Sequence, residues 1–320
     1  MRVLVYLEKS VVRGGIEVFV ERHVAQLRAA GHEVDVVHST SNFHLSIFNS
    51  YDEVIVHKCS DAATLEEFPP EKTTYYVHDH EPICPRAYAY TPFRRNCTRT
   101  SGLWPCLFCA PLCRSWKAAL ARVFAQGRRK RTMARFRRIV VISAFMKGRL
   151  VANGLPPEKI VVEPPQIIPQ PPTFNFQLPV DLLFVGQLIR GKGVQLLLEA
   201  MARMRSPRTL DVVGSGNMEA KLKAQAVRLG LAERVRWQGY QANPQDWMRA
   251  AKCVVVPSFW QEPYGLVAAE AVALGRNVVA FGIGGLPEAC QGKATLVPPG
   301  DVDALAHALD ETGGSAGEMV

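Results

Sequence analysis

The sequence predicts an α/β protein made of two Rossmann-like domains, each built around a parallel sheet. Its 320 residues exceed the usual size of one domain. Short apolar strands alternate with amphipathic helices in both halves of the chain. Between the two series, six prolines fall within residues 163–179, a density that excludes a helix or a central strand. We therefore assign residues 1–165 to an N-terminal domain, 166–180 to a linker and 181–320 to a C-terminal domain.

The first domain begins with a strand–helix–strand unit. An apolar strand at 2–7 leads to a loop that ends in Gly14-Gly15, and a helix from about 16 to 30 is followed by a strand at 33–37. A connection of this kind pairs its two strands in parallel. Further strands are predicted at 53–56, 74–77 and 138–142.

The second domain repeats the same rhythm after the linker. The spacing predicts strands at 182–185, 210–213, 235–238, 253–257 and 277–280, helices at 194–204, 219–229, 245–251 and 266–274, and a last helix from about Val302. Two lobes of this type, joined by a stiff hinge, predict a molecule whose parallel sheets face each other across a cleft.

The composition excludes several classes of protein. Hydrophobic residues make up 48% of the chain and charged residues 21%, which excludes wholesale disorder. No apolar stretch approaches the roughly 18 residues needed to span a bilayer, and the N-terminus shows no signal-peptide pattern. We therefore expect a cytoplasmic protein. Eight cysteines are too few for a disulfide scaffold in a chain of this length.

The sharpest motif surrounds a predicted helix start at Gly265. Glu262 and Glu270 flank this glycine, and the backbone N–H groups near Gly265 and Leu266 would face whatever lies before the helix. A helix N-terminus of this kind suits a diphosphate. Glu270 could reach a ribose hydroxyl pair, while Glu262 could accept hydrogen bonds from sugar hydroxyls. An ordinary helix start with two solvated glutamates explains the same letters if the motif stands alone.

The motif does not stand alone, because the chain resembles the retaining nucleotide-sugar glycosyltransferases of family 4, also called group 1. Residues 257–270 are close to that family's P-S-x-x-E-P-F-G-x-x-x-x-E phrase. The resemblance extends from Val3 to about Leu309, and its pieces follow in the family's order. The other matching pieces are Gly14-Gly15-Ile16-Glu17, His78-Asp79, Ser143, residues 185–193, Val213-Gly214-Ser215-Gly216, Trp237-Gln238-Gly239-Tyr240 and Pro298-Pro299-Gly300-Asp301.

The resemblance implies a GT-B fold and an enzyme that transfers a sugar from a nucleotide diphosphate sugar to a hydroxyl acceptor. It implies retention at the anomeric carbon and no required metal or other cofactor. By this resemblance His78 faces the donor sugar, Glu262 orients it, and Lys192 stabilises the leaving diphosphate. The implied donor-binding residues are Gly14, Gly15, Gln187, Arg190, Gly239, Tyr240, Gly265, Leu266 and Glu270. A purely structural role for His78 is the alternative.

One position departs from the family pattern. Gln187 stands where the family usually has an arginine, so one of two cations expected on the leaving diphosphate is missing. A lost cation should lower the rate, because charge develops on the departing group. Our hypothesis is that Arg190, in the same loop, replaces it. The alternative is that Gln187 hydrogen-bonds a phosphate and Arg190 is solvent-exposed.

The positive charge of the chain is concentrated in one stretch. The net charge is +9, yet residues 82–157 contain sixteen Lys and Arg and no Asp or Glu, which leaves the rest of the chain at −7. The helical pattern here has an apolar face that includes Trp116, Leu120, Val123 and Phe124. This combination predicts a peripheral enzyme on an anionic membrane, with a glycan or lipid-linked acceptor. A core-packing helix with a solvated basic face is the alternative.

Five cysteines fall in the same region, at positions 84, 97, 106, 109 and 113. The C-x2-C step can chelate zinc, but only half of a CxxC…CxxC pattern is present. Structural zinc, reduced inert thiols and a redox or iron–sulfur role therefore stay open, and no metal is assigned.

Two other functions compete with the transferase. A nucleic-acid-binding protein would explain the basic stretch but not Lys192 or the motif at 257–270, and no nucleic-acid-binding motif is present. We therefore predict no nucleic-acid partner. A catalytically degenerate GT-B protein would explain Gln187. An epimerase or a phosphorylase has less support, because the residues or the chain length that each needs are absent.

Overall fold

The computed structural model describes residues 1–8, 15–38, 45–85, 89, 96–102, 106, 109, 116–174 and 180–312. Within these residues, contacts divide the chain into a first unit, Met1–Pro165, and a second unit, Gln166–Val320. Each unit has its own sheet and its own apolar clusters.

The first unit contains a six-stranded parallel sheet. Its strands are β1 (Arg2–Leu7), β2 (Glu33–His38), β3 (Glu53–Lys58), β4 (Thr73–Val77), β5 (Arg138–Val141) and β6 (Ile160–Val162), and its helices are α1 (Gly15–Ala29), α2 (Ala62–Glu66), α3 (Trp116–Arg135) and α4 (Ala144–Ala152). The strand order is β2-β1-β3-β4-β5-β6, and every pair is parallel.

Both faces of this sheet are buried. Along β1, Leu4 and Tyr6 belong to one apolar cluster, whereas Val3, Val5 and Leu7 belong to the other. Successive side chains of a strand point to opposite faces, so the near-continuous apolar run of β1 reflects helices on both sides of the sheet.

The second unit repeats this plan with a second six-stranded parallel sheet. Its strands are β7 (Val180–Val185), β8 (Leu210–Val213), β9 (Val235–Gly239), β10 (Ala251–Val256), β11 (Asn277–Phe281) and β12 (Thr295–Val297), and its helices are α5 (Val194–Arg203), α6 (Glu219–Arg228), α7 (Pro244–Ala250), α8 (Leu266–Ala273), α9 (Leu286–Cys290) and α10 (Val302–Glu311). The order is β12-β11-β10-β7-β8-β9, again with parallel pairing.

The α/β class and the parallel sheets confirm the sequence prediction. The predicted strands and helices all occur, within two residues at their ends. The sequence analysis missed the short elements β6, β12, α2 and α9 and the nine-residue helix α4. Ser143, which the resemblance places at a recurring position, is the buried N-cap of α4, and its hydroxyl accepts a hydrogen bond from the Met146 amide at 3.0 Å.

The proline-rich segment is anchored to the second unit where it is described. The Gln170 amide donates to the Gln245 side-chain oxygen at 2.8 Å, and the Thr173 amide donates to the Asp246 carboxylate at 3.2 Å. Residues 166–174 therefore lie along α7, although they form no regular element themselves.

Candidate functional site

The topology of the second sheet marks one edge as the place for a ligand. β7 lies between β10 and β8, and the chain adds β8 and β9 on one side before it crosses to add β10, β11 and β12 on the other. Where the chain leaves two neighbouring parallel strands in opposite directions, a crevice forms outside their carboxyl ends. Ligands of open α/β sheets bind in such a crevice. The loops after β7 and β10, residues 186–193 and 257–265, lie at this edge.

These two loops bring Lys192 and Glu262 together. The Lys192 Nζ lies 2.6 Å from Glu262 Oε1, although the residues are separated by 70 positions in the chain. The Ser258 hydroxyl donates to the same carboxylate oxygen at 2.7 Å. The side chain of Glu262 is 7% exposed and that of Lys192 is 24% exposed, so the carboxylate is buried and the ammonium is the more exposed partner.

The surroundings keep Glu262 ionised. Burial raises the pKa of this carboxyl, but Lys192, Ser258 and Trp260 outweigh burial, and the pKa lies below its usual value. The Lys192 ammonium also lies 5.5 Å from the centre of the Trp260 ring. A charged carboxylate with a cation and a hydroxyl on one oxygen can accept hydrogen bonds from a ligand hydroxyl.

Close backbone contacts hold the two loops against each other. Gly193 has φ +78°, and a Cβ at this position would lie 1.7 Å from the Pro257 carbonyl oxygen, so no larger residue fits. The Phe259 amide donates to the Gly191 carbonyl at 3.1 Å. These contacts fix the loop that carries Lys192 relative to the loop that carries Glu262.

The start of α8 is equally constrained. Gly265 caps this helix with φ +113°, and a Cβ there would lie 2.5 Å from Leu286 Cδ2. The Gly285 amide, directly before α9, donates to the Glu262 carbonyl at 2.8 Å. The loop that leads into α9 therefore supports the backbone of Glu262. Leu266, the first residue of α8, is half-buried at the same edge.

Glu270 lies one turn into α8, away from the helix start. Its carboxylate accepts a hydrogen bond from Gln245 Nε2 at 3.5 Å, and it is half-buried. Gln245 is itself held by the Gln170 amide. The structure therefore positions Glu270 through α7 and the proline-rich segment, which the sequence motif did not indicate.

The other residues of the second unit that were predicted to bind the donor lie at the same sheet edge. Gln187 and Arg190 are exposed in the loop after β7, and the Arg190 guanidinium makes no ion pair with the residues that the structure describes. Gly239 ends β9, and its carbonyl accepts from the Gly214 amide at 2.7 Å. The Tyr240 side chain is exposed.

In the first unit, the loop after β4 carries His78, and two further histidines join it. His57 on β3 lies 3.0 Å from His78 between Nδ1 and Nε2, and His23 on α1 lies 3.1 Å from the other nitrogen of His57. The sequence analysis predicted no role for His23 or His57. The only sequence signal was the position of His57 near the end of β3. Gly15 begins α1, while Gly14 lies outside the described residues.

Burial sets the protonation of this cluster and of its neighbour Asp79. Burial lowers the pKa of His78 to about 3, with His23 and Lys58 adding to the effect. Burial raises the pKa of Asp79 to about 6, although its Oδ1 accepts the Glu81 amide at 2.8 Å. His78 is therefore neutral at neutral pH.

The basic stretch is partly structural. Arg129 is buried, its guanidinium donates to the Glu81 carbonyl at 3.2 Å, and it lies 3.4 Å from the Glu81 carboxylate. Arg149 donates to the carbonyls of Thr98 and Cys97 at 2.9 and 3.0 Å. The apolar residues expected on one face of α3 are not all buried: Val123 is buried, while Phe124 is 58% exposed.

Four of the five clustered cysteines lie in the described residues. Cys84, Cys97, Cys106 and Cys109 line one cavity, and all four are free thiols. Burial raises the pKa of Cys106, and the neighbouring thiols raise it further. Across the described ranges, no group of three or more His, Cys, Asp or Glu side chains is placed to hold a metal ion. Cys113 lies outside these ranges.

The helices that the structure describes include none that is long and apolar enough to cross a membrane. The longest of them, α3, is strongly basic.

Comparison with known proteins shows what the second unit resembles. The sequence profile of the family "Glycosyl transferases group 1" matches residues 179–312. An uncharacterized glycosyltransferase of Methanocaldococcus jannaschii is 34% identical over 135 residues, which cover 40% of this chain and 34% of that protein. A D-inositol 3-phosphate glycosyltransferase of Kribbella flavida is 42% identical over 146 residues, which cover 41% and 34%. The chain thus matches about a third of the length of these curated relatives.

Solved structures resemble the chain over both units. Anabaena HepE in complex with UDP superposes with a TM-score of 0.69 at 18% identity, covering 98% of this chain and 90% of that one. WaaG, a glycosyltransferase involved in lipopolysaccharide biosynthesis, gives 0.68 at 19% identity, covering 98% and 91%. At sequence identities of 18% and 19%, the structural similarity shows the fold alone. Residues 179–312 match the group 1 glycosyltransferase family, and the two parallel sheets of the chain have the GT-B fold.

Proposed function

We propose that the protein is a retaining glycosyltransferase that moves a sugar from a nucleotide diphosphate sugar to a hydroxyl acceptor without a metal ion. The observation that carries this proposal is the Lys192–Glu262 pair at the diverging strand ends of the second sheet, beside the glycine-capped start of α8. A cation, a carboxylate and a helix N-terminus are three different partners, suited to a phosphate, to sugar hydroxyls and to a second phosphate.

Donor binding would exchange the partners of this pair. Lys192 faces solvent more than Glu262 does, so its ammonium can turn from the carboxylate to a donor phosphate. Glu262 then accepts hydrogen bonds from sugar hydroxyls in place of the ammonium. Ser258 keeps its bond to the carboxylate and holds it in position. The N–H groups at Gly265 and Leu266 face the diphosphate, whose growing negative charge the helix dipole favours.

The reaction itself breaks one bond and forms one. The bond between the anomeric carbon and the diphosphate oxygen breaks, and the electron pair leaves with the nucleoside diphosphate. The acceptor oxygen bonds to the anomeric carbon on the same face, and its proton goes to an oxygen of the departing phosphate. Lys192 and the start of α8 stabilise the charge on that leaving group. His78 contacts the donor sugar, and Gly14 and Gly15 lie close to the donor phosphates.

We assign the remaining donor contacts from where each residue lies at the carboxyl edge of the sheet in the second unit. Glu270 binds the ribose hydroxyls, while Gly239 and Tyr240 lie beside the nucleotide base. Either Arg190 or Gln187 supplies the second contact to the diphosphate. The exposed guanidinium of Arg190, which forms no ion pair with the described part of the chain, favours the arginine. HepE forms complexes with UDP and with UDP-glucose, so these are the first ligands to test.

We further propose that the acceptor is a lipid-linked or polysaccharide intermediate of the cell envelope, presented at an anionic membrane surface inside the cell. Exposed arginines on and after α3, with the exposed Phe124 among them, support this proposal; they are Arg122, Arg131, Arg135 and Arg137. WaaG acts in lipopolysaccharide biosynthesis, which is chemistry of the same kind.

The test is a thermal-shift screen of nucleotide diphosphates and their sugars, followed by hydrolysis and transfer assays with the best binder. A ligand at 100 times its dissociation constant adds about 2.7 kcal/mol to stability. Lys192→Ala should lower turnover by about a hundredfold or more. Arg190→Ala should lower it less, and unchanged turnover in that variant would assign the second contact to Gln187.

Two results would favour the competing functions. Salt-sensitive retention of DNA or RNA on filters, with no response to nucleotide sugars, would indicate a nucleic-acid-binding protein. Tight binding of a donor with no hydrolysis or transfer, together with turnover restored by Gln187→Arg, would indicate a degenerate transferase.

A further inference from the structure

The histidine cluster of the first unit lies near the point where the strand order of that sheet reverses. β1 lies between β2 and β3, and the chain adds β2 on one side before it crosses to β3. His57 is the fifth residue of the six-residue strand β3, and His78 directly follows β4. His23, from α1, completes a line of three rings that runs from the helix to the carboxyl edge of the sheet.

Aromatic side chains enclose the line. The Phe19 ring lies 5.7 Å from the His57 ring and 5.0 Å from the His78 ring, both edge-on. The Tyr76 ring lies 4.7 Å from that of His57. His57 is 1% exposed, whereas His23 and His78 at the two ends are half-buried.

This enclosure keeps the rings uncharged. Burial lowers the pKa of all three histidines, His78 and His23 lower the pKa of His57 further, and His23 lowers that of His78. The charged groups nearby are Glu53 and Glu163, which favour a proton on His23, and Lys58, which disfavours one on His78. At neutral pH the line therefore contains three neutral imidazoles.

Three neutral rings joined by two hydrogen bonds have only two arrangements. A neutral imidazole has one N–H and one bare nitrogen, so His57 donates in one bond and accepts in the other. If His57 donates through Nδ1 to His78, then His23 donates through Nδ1 to His57, and all three protons lie on Nδ1. In the reverse arrangement all three lie on Nε2. The three tautomers are therefore equal and change only together.

We propose that His57 and His23 are positioning residues that fix the ring and the tautomer of His78, so that His78 Nδ1 meets a donor-sugar hydroxyl in one defined hydrogen-bonding role. This rests on the proposed function, in which His78 contacts the sugar. With protons on Nδ1 throughout, His78 donates to the hydroxyl; with protons on Nε2 throughout, it accepts. Neither His57 nor His23 touches the sugar in this arrangement.

The first experiment measures the tautomers without any ligand. In the full chain labelled with ¹⁵N-histidine, the ring nitrogens of His23, His57 and His78 should show the same single tautomer at pH 7. Either sense, all Nδ1–H or all Nε2–H, supports the proposal. A mixture of tautomers at His78, or opposite tautomers in two adjacent rings, would overturn it.

The second experiment removes the middle ring's nitrogens. His57→Phe keeps an aromatic ring but breaks both hydrogen bonds, and His78 should then show both tautomers. His23→Phe, at a half-buried position, breaks only the first bond and provides a second variant if His57→Phe does not fold. His307→Gln, on α10 of the second unit, is the matched control and should leave the His78 signals unchanged. An unaltered His78 tautomer in both Phe variants would contradict the proposal.

The third experiment links the tautomer to the sugar. With UDP-glucose as probe, His57→Phe should raise the KM for hydrolysis about tenfold while the Kd of UDP alone stays unchanged, because only the sugar contact is disturbed. A parallel loss of UDP affinity would indicate a general structural effect instead. Failure of the wild-type protein to bind UDP or hydrolyse any nucleotide sugar would remove the proposed function, while the equal tautomers of the free protein would still stand.

Discussion

Two aspartates of the first unit illustrate how position alone sets the chemistry of a single side chain. Burial raises the pKa of Asp79 to about 6, whereas hydrogen bonds from the Thr64 amide and hydroxyl lower that of Asp61, the N-cap of α2. The folded state therefore binds a proton on Asp79 more readily than the unfolded chain does, and the reverse holds for Asp61. Their contributions to stability have opposite pH dependences.

We predict that Asp79→Asn raises the melting temperature at pH 7.5 and leaves it unchanged at pH 4. Between about pH 4 and 6 the wild-type carboxyl loses its proton at a buried position, and stability falls as the pH rises. Asp61→Asn is the control with the opposite sign, because the ionised cap stabilises α2 above the usual aspartate pKa and loses this effect in acid. Calorimetry of both variants at the two pH values checks the prediction, and equal shifts would contradict it.

At the same scale, sequence reasoning found residues that lie in motifs and missed those that meet only in space. Lys192 and Glu262 are each part of a recognisable phrase, and the structure joins them across 70 positions. His23 and His57 have no motif around them, and only the packing of α1 on β3 brings their rings together. The hydrogen bond from Gln245 to Glu270 could not be predicted from the sequence either. Gln245 lies on α7, which follows β9, whereas Glu270 lies on α8, which follows β10.

The start of α8 shows what a single element demands of its sequence. We predict that Gly265→Ala destabilises the second unit by more than Gly275→Ala does. Both glycines have positive φ, at +113° and +68°, so alanine is strained at each by roughly 1–2 kcal/mol. Only at Gly265 would the new methyl also lie 2.5 Å from Leu286 Cδ2. A methyl at Gly275 would lie more than 4 Å from the other described residues, apart from its chain neighbours. Urea unfolding of the two variants measures the difference, and equal losses would show that Leu286 moves aside freely.

The helix α3 combines two roles that its composition did not separate. Arg129 is buried against Glu81, while Arg131 and Arg135 are exposed. We predict that Arg129→Ala lowers the stability of the first unit by about 3 kcal/mol, because it leaves Glu81 without its cation in a partly buried site. Arg131→Glu with Arg135→Glu should leave stability nearly unchanged but weaken co-sedimentation with anionic vesicles.

The controls for this membrane prediction use charge elsewhere. Arg228→Glu, on the exposed face of α6, changes the net charge without touching α3 and should leave vesicle binding in place. Equal binding of the wild-type protein to neutral and anionic vesicles would contradict the membrane proposal.

Most elements were predictable because hydrophobic periodicity and glycine positions mark their ends. The strand–glycine–helix pattern at the start of the chain became β1 and α1, and the motif around Gly265 became the capped start of α8. Four of the five elements that escaped are short: β6 and β12 have three residues each, and α2 and α9 have five, fewer than a period-based pattern needs. The fifth, α4, has nine residues.

The whole molecule consists of two units, each with a six-stranded sheet and an apolar core of its own. We predict that a nucleotide diphosphate stabilises the second unit more than the first, since most of its proposed contacts, among them Lys192 and the start of α8, lie in the second unit. Hydrogen exchange of the full chain, with and without UDP, should show added protection in α8 and the loop after β7, with smaller changes in β5 and α4. Equal protection throughout would argue that the two units respond as one.

The Lys192–Glu262 bond also bears on how the empty protein treats fragments of its donor. A free phosphate that draws the lysine away strands a buried carboxylate without a cation, which is costly. A free sugar must compete with an ammonium for the same carboxylate oxygen. On the proposed function, only a ligand that brings phosphate and hydroxyls together replaces both lost partners in one event. The resting site therefore discriminates in favour of the intact donor over its separate parts.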